Sequence, residues 1–155
     1  MSEAPRPAGA ELAAAMAALH ARSFGEAWEE AAIRELLAMP GTLALALGQA
    51  PALSGFVMLR IGGGEAEILT ICTGPECRRA GLGRRLLDAA AAHAMAAGAE
   101  ALFLEVAEDN EAALRLYESA GFYLVGMRPG YYRREGAPVA ARTLKLDLPA
   151  PPNPS

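Results

Sequence analysis

Arg78-Arg79-Ala80-Gly81-Leu82-Gly83 follows a strand-like run and opens a long helix rich in alanine and leucine. An Arg-x-x-Gly-x-Gly turn at that place aims backbone N–H groups outward at the positive end of a helix dipole, where an anion is favoured. Gly81 and Gly83 carry no Cβ, so a ligand can approach the main chain. Arg78, Arg79, Arg84 and Arg85 concentrate positive charge in a chain of formal net charge −4. The functional reading is a pyrophosphate cradle; the alternative is a helix start that carries glycine and solvated arginines. No Gly-Lys-Ser/Thr follows, which excludes a P-loop, and Leu86 stands where a dinucleotide fingerprint needs its third glycine.

Outward from this turn the chain alternates helix and strand signals. Helical periodicity covers about 10–23 and 29–39, the latter stopped by Pro40-Gly41. Strand patterns follow at about 42–47, 54–61 and 65–73, then the helix from about 81 to 97 capped by Gly98. A strand at 101–106, a helix at 110–120 and strands near 122–128 and 138–146 complete the order, the last two flanking a loop rich in Tyr and Arg. The strands at 65–73 and 101–106 bracket one helix, which predicts parallel neighbours, and hairpins on both sides predict a mixed sheet. Residues 1–9 and 149–155 are rich in Pro and Ala without periodicity and read as disordered ends around a single domain, 10–148.

At 155 residues, with 53 % hydrophobic and 21 % charged residues, the chain is long enough to bury a core without staples. A pI of about 5.2, with no basic surface beyond the arginine turn, argues against a nucleic-acid partner. Cys72 and Cys77 have neither zinc nor redox spacing and suggest a reducing compartment, while His20 and His93 are isolated, so no metal is expected. No secretory signal is evident, and no apolar run approaches the ~20 residues of a membrane span. The expected setting is the cytoplasm.

Three positions stand out for chemistry. Glu105 interrupts Leu102-Phe103-Leu104-Glu105-Val106 in a strand that should be apolar on both faces. It is either a strand end meeting water or a general base in a cleft. Asn110 opens the next helix, as an N-cap or as a ligand contact. Tyr117 lies two turns further along the same face, as a core aromatic or as a proton donor to a leaving sulfur. Trp28, Tyr131 and Tyr132 are core anchors or a recognition wall for substrate.

Several of these motifs, in this order, resemble the GCN5-related N-acetyltransferase (GNAT) superfamily from about residue 10 to 148. Glu67-Ile68-Leu69-Thr70-Ile71-Cys72-Thr73 looks like that family's fourth strand, followed by the signature at 78–83. Leu104-Glu105-Val106, Asn110 and Leu116-Tyr117-Glu118-Ser119-Ala120-Gly121-Phe122 look like the second half of its fold. Arg128-Pro129-Gly130-Tyr131-Tyr132 is similar to a loop of the bacterial ribosomal-protein alanine N-acetyltransferases within that superfamily.

The resemblance implies an α/β fold: a mixed, twisted sheet of six to seven strands whose central parallel strands splay apart, flanked by about four helices. It implies acetyl-CoA in the splay, with the backbone of Ile71, Cys72 and Thr73 against the pantetheine arm and Arg78, Arg79, Ala80, Gly81, Leu82, Gly83 and Arg84 around the pyrophosphate. Asn110 would be a cofactor contact, Glu105 the proton acceptor and Tyr117 the proton donor. The expected activity is acetylation of a protein N-terminal α-amine, the alanine N-terminus of a small-subunit ribosomal protein, by a monomer or weak homodimer. Acetylation of a small-molecule amine and a non-catalytic acyl-CoA-binding regulatory module are the alternatives.

Overall fold

The computed structural model describes residues 4–23, 27–74, 81–134 and 137–149. Strands β1 (Arg6–Ala8), β2 (Thr42–Gln49), β3 (Ala52–Gly62), β4 (Glu65–Thr73), β5 (Ala101–Ala107), β6 (Tyr123–Arg134) and β7 (Ala137–Asp147) form one sheet in the order β1-β2-β3-β4-β5-β7-β6. Helices α1 (Ala13–Ser23), α2 (Glu30–Ala38), α3 (Leu82–Ala96) and α4 (Glu111–Ser119) flank it. The mixed seven-stranded sheet with four helices agrees with the fold expected from sequence.

Each face of the sheet carries its own apolar cluster. Leu45, Leu47, Val57, Leu59, Ile68, Leu102 and Leu104 pack beneath α3, which buries Leu86, Leu87, Ala90 and Ala94. That i, i+1, i+4, i+8 spacing is one helical stripe, and its alanines let the helix approach the sheet. Each buried leucine contributes roughly 1.5–3 kcal/mol. On the opposite face Ala44, Ala46, Phe56 and Met58 meet Met16 and Leu19 of α1 and Ile33 of α2. Inner strands β2 and β3 are therefore apolar on both sides.

The sheet opens at its centre. β4 and β5 are parallel, as the bracketed helix predicts, but they pair only at Glu65↔Ala101, Ala66↔Leu102 and Glu67↔Phe103. Beyond that point β4 follows β3 and β5 follows β7, whose ladder runs from Ala101↔Asp147 to Ala107↔Ala141. The divergence has a local cause. Met58 faces Thr70 and Leu59 faces Ile68, leaving Leu69 as an extra residue. A bulge of this kind bends and twists its strand.

Two sequence expectations are corrected. Residues 6–8, within the segment expected to be disordered, form β1, with Arg6↔Ala46, Pro7↔Leu45 and Ala8↔Ala44. An edge strand tolerates a proline because the missing N–H can face solvent. The segment after residue 128 is strand rather than loop. The β6–β7 ladder skips from Arg128↔Ala141 to Tyr132↔Val139 and then continues to Arg134↔Ala137. Gly130, at φ 63°, lies in the skipped stretch. Residues 150–155 of the expected disordered end lie outside the described residues.

Candidate active site

Where β4 and β5 part, the edge of β4 from Ile68 to Thr73 has β3 on one side and, among the described residues, no strand on the other. Of the three positions expected to line a ligand here, Cys72 is buried, and burial pushes its thiol up to about 12. A thiol raised by burial stays protonated at neutral pH. Ser23 at the end of α1 donates its hydroxyl to the Thr73 carbonyl at 3.3 Å, and the Gly74 N–H donates to the Ser54 carbonyl at 2.9 Å. These bonds hold the open end of β4 in place.

The cradle is described from Gly81 onward; Arg78, Arg79 and Ala80 lie outside the described residues. Gly81 is the N-cap of α3, at φ 75°, with no side-chain cap over the first turn. The left-handed conformation suits glycine, and a Cβ built there meets nothing within 4 Å among the described residues. The amides of that turn have no intrahelical acceptor. Gly83 has a different surrounding: a Cβ there would come 3.2 Å from Leu116 Cδ2, so this glycine lets α3 and α4 close together. Leu82 packs against the first cluster. Arg84 donates through Nε to Asp88 at 2.9 Å and through Nη1 to the Ser119 carbonyl at 3.3 Å, tying the start of α3 to the end of α4. A helix N-terminus with a glycine cap, following a strand that splays from its neighbour, fits a phosphate-bearing cofactor with an extended arm.

Glu105 takes the position its sequence context singled out. Leu102, Leu104 and Val106 of β5 face the cluster under α3, and Phe103 and Glu105 alternate to the opposite face. The carboxylate is 23 % exposed, and Arg128 Nη2 lies 3.0 Å from its Oε1. Both line a cleft of about 510 Å³, together with Arg60, Glu67, Phe103 and Thr143. Thr143 is the cross-strand neighbour of Glu105. The guanidinium of Arg128 also sits 5.3 Å from the centre of the Tyr131 ring, which meets Tyr132 edge-on at 5.1 Å. Tyr131 is half-exposed. The three residues of the Arg-x-x-Tyr-Tyr segment therefore form one group, with Arg128 against Glu105.

Tyr117 faces the other way. Its ring is buried in the cluster beneath α3 and α4, 5.8 Å from Phe122. Burial, and secondarily Tyr132, push its phenol up to about 12. Glu105 and Tyr117 thus occupy opposite faces of the sheet, and Glu105 lies on β5 beyond its last pairing with β4. Asn110 caps α4, its side-chain oxygen accepting the Ala113 N–H at 3.2 Å.

The model of the acetyltransferase (GNAT) family matches residues 13–122. The chain belongs to that family. The N-alpha-acetyltransferase RimI of Mycobacterium tuberculosis is 43 % identical over 83 residues, covering 54 % of this chain and 49 % of that protein. The [ribosomal protein bS18]-alanine N-acetyltransferase of Escherichia coli is 36 % identical over 80 residues, 52 % of this chain and 54 % of that one. The chain thus spans about half the length of these curated relatives. The crystal structure of the ribosomal-protein-S18-alanine N-acetyltransferase from Escherichia coli superposes with TM-score 0.88 at 25 % identity, covering 100 % of this chain and 98 % of that one.

One feature of this GNAT chain was not visible from its motifs. His20, isolated in sequence, is 3 % exposed, and burial lowers its pKa. Its Nδ1 accepts the Trp28 backbone N–H at 3.1 Å, and its Nε2 lies 3.3 Å from Thr70 Oγ1. Trp28 packs half-buried against the second cluster, so here it is first an anchor for the segment between α1 and α2. The available signal was a single polar ring on the buried stripe of an alanine helix. Among the described residues, no three His, Cys, Asp or Glu side chains gather as a metal site would need.

Proposed function

We propose that this chain transfers an acetyl group from acetyl-CoA to a protein N-terminal α-amine, with the alanine N-terminus of a small-subunit ribosomal protein as acceptor. The observation that carries the reading is the Glu105 carboxylate. It sits in a cleft beside the Arg128–Tyr131–Tyr132 group, next to the gap between β4 and β5. The two relatives named for N-terminal acetylation support it.

Acetyl-CoA, when bound, supplies the activated thioester. The amides at the start of α3 would hold its phosphates, and the backbone of Ile71, Cys72 and Thr73 on the edge of β4 would hold its extended arm and polarise its carbonyl. An α-amine has a pKa near 7.7–8.0, so Glu105 need accept only one proton, directly or through a water. Tyr117, on the far face, would be the proton donor to the departing sulfur. Asn110, besides capping α4, would be a cofactor contact.

The test is turnover with acetyl-CoA against peptides of differing N-terminal residue, lysine peptides, polyamines and free amino acids, read by CoA release and by the mass of the acceptor. The peptide that begins with the alanine of the ribosomal protein is expected to react fastest. A small amine outpacing every peptide would refute the acceptor assignment. Cofactor binding without turnover on any acceptor would leave a regulatory acyl-CoA-binding module instead.

A further inference from the structure

We propose that Arg128 is a charge filter: its guanidinium, paired with Glu105, lets a neutral amine into the cleft and turns away an ammonium. The inference rests on the reading of Glu105 as proton acceptor and of the cleft as the acceptor site.

The geometry is that of a cation held where the reacting nitrogen must arrive. Arg128 Nη2 is 3.0 Å from Glu105 Oε1, and both residues line the same cleft. A general base works within about 3 Å of the proton it takes, or across one water. The incoming nitrogen must therefore stop close to the guanidinium. Arg128 is held there from two sides. It is the last residue in register before the irregular stretch of β6, and its guanidinium lies against the Tyr131 ring at 5.3 Å. The other carboxylates of the cleft sit further along it. Glu67 is level with Phe103 and Glu65 with Ala101, two and four residues from Glu105 along β5, or about 7 and 13 Å by strand rise. Arg60, the second cation of the lining, is engaged by Thr42 Oγ1 at 3.5 Å and Met39 Sδ at 3.6 Å.

The chemical consequence is selectivity by protonation state. At pH 7.4 about a fifth to a third of an α-amine is neutral, against about one in a thousand lysine side chains, given pKa values of 7.7–8.0 and 10.4. A cleft that excludes ammonium is therefore not occupied by lysine side chains. It also moves the pH dependence of the reaction: acidification raises the acceptor KM and spares kcat. Without the guanidinium, the ammonium occupies the cleft beside Glu105, and acidification lowers kcat instead.

The experiment uses two unreactive analogues of the alanine-starting peptide with the same shape. One carries a trimethylammonium group at its N-terminus and the other carries tert-butyl in its place. Both are measured as inhibitors competing with the acceptor, in wild type, Arg128→Met and Arg128→Lys. Wild type is expected to favour the neutral analogue. Arg128→Met shifts the cation-to-neutral Ki ratio toward the cation by up to roughly fivefold, the scale of a partly exposed charge pair. Arg128→Lys keeps the wild-type preference. Because the ratio is internal to each variant, loss of folded protein does not imitate the effect. An unchanged ratio in Arg128→Met, or a lysine variant that behaves like the methionine one, overturns the filter and leaves the acceptor site standing. If neither analogue competes with the acceptor in any variant, the cleft is not the acceptor site and both readings fall.

Discussion

The imidazole of His20 lies nearly parallel to the indole of Trp28, with ring centroids 4.9 Å apart and 13° between planes, while its Nδ1 accepts the Trp28 backbone N–H at 3.1 Å. Accepting at Nδ1 requires that nitrogen to be unprotonated, so the neutral ring carries its proton on Nε2 and donates to Thr70. One side chain thus ties α1 to β4 and to the segment that enters α2.

The first prediction follows from that bond. Burial holds the His20 pKa below the usual 6.5 in the folded state, so between the two values the unfolded chain binds more protons. Stability from His20 is complete above about pH 6.5 and is lost as pH falls through the lowered folded value. His20→Asn keeps an acceptor for the Trp28 N–H and removes the titration. Its melting temperature should change less than that of wild type across this acidic range. Trp28 is the only tryptophan, so its emission reports the same event. Equal acid sensitivity in both proteins refutes the assignment.

The second prediction concerns the cradle. Saturating acetyl-CoA should stabilise the protein, by about 2.7 kcal/mol at a hundredfold excess over Kd. Gly83→Ala and Gly83→Asp place the same Cβ 3.2 Å from Leu116 Cδ2, so the alanine variant controls for that contact. Only the aspartate adds negative charge near the phosphates. Loss of the acetyl-CoA shift in the aspartate variant alone supports the cradle, and equal shifts in the two move it elsewhere.

The parts of the fold readable from sequence were those with local causes. The run into Gly81, the stripe on α3 and the interrupted apolar pattern at Glu105 each announce themselves within one segment. What escaped depended on distant partners. β1 is three residues long and contains Pro7, and only the exposed edge of β2 makes it a strand. The second half of β6 has Pro129 and Gly130 at its start, which read as loop, and the ladder with β7 resumes beyond them. Nothing near His20 in sequence indicates Trp28 or Thr70 as its partners. The ion pair of Glu105 with Arg128 joins residues on strands that never pair directly, so the candidate base was legible and its charged neighbour was not.

A third prediction tests that base. Glu105→Gln preserves shape and hydrogen bonding but cannot accept the proton. It should lower kcat by ~10²–10⁴, the usual range for a positioned acid or base, and leave acetyl-CoA affinity unchanged. Rates equal to wild type across pH 6–9 reduce Glu105 to the ion-pair partner of Arg128.

The cap on α4 yields a fourth. Asn110→Ala removes the acceptor of the Ala113 N–H and should cost about 1 kcal/mol of stability, read as a lower melting temperature without ligand. Asn110→Asp keeps the cap. If Asn110 also touches the cofactor, the aspartate variant should retain the melting temperature and bind acetyl-CoA more weakly; unchanged binding confines the residue to capping.

The last prediction distinguishes two ways in which Tyr117 can assist the leaving sulfur. A thiol has a pKa near 8.5, whereas burial pushes this phenol up to about 12. Full transfer of the proton from oxygen to sulfur is then uphill by roughly 5 kcal/mol, at 1.36 kcal/mol per unit. Donating a hydrogen bond to the developing thiolate carries no such cost, and bonds to charged groups contribute about 1.5–3 kcal/mol. Tyr117→Phe keeps the ring against Phe122 and removes only the hydroxyl. It should lower kcat about ten- to a hundredfold with little change in acetyl-CoA affinity. Wild-type kcat should show no alkaline decline attributable to Tyr117 below about pH 10, because a phenol near 12 stays protonated there. A drop in cofactor affinity with kcat intact makes the hydroxyl a binding contact, and its role in the departure of the thiolate is then wrong.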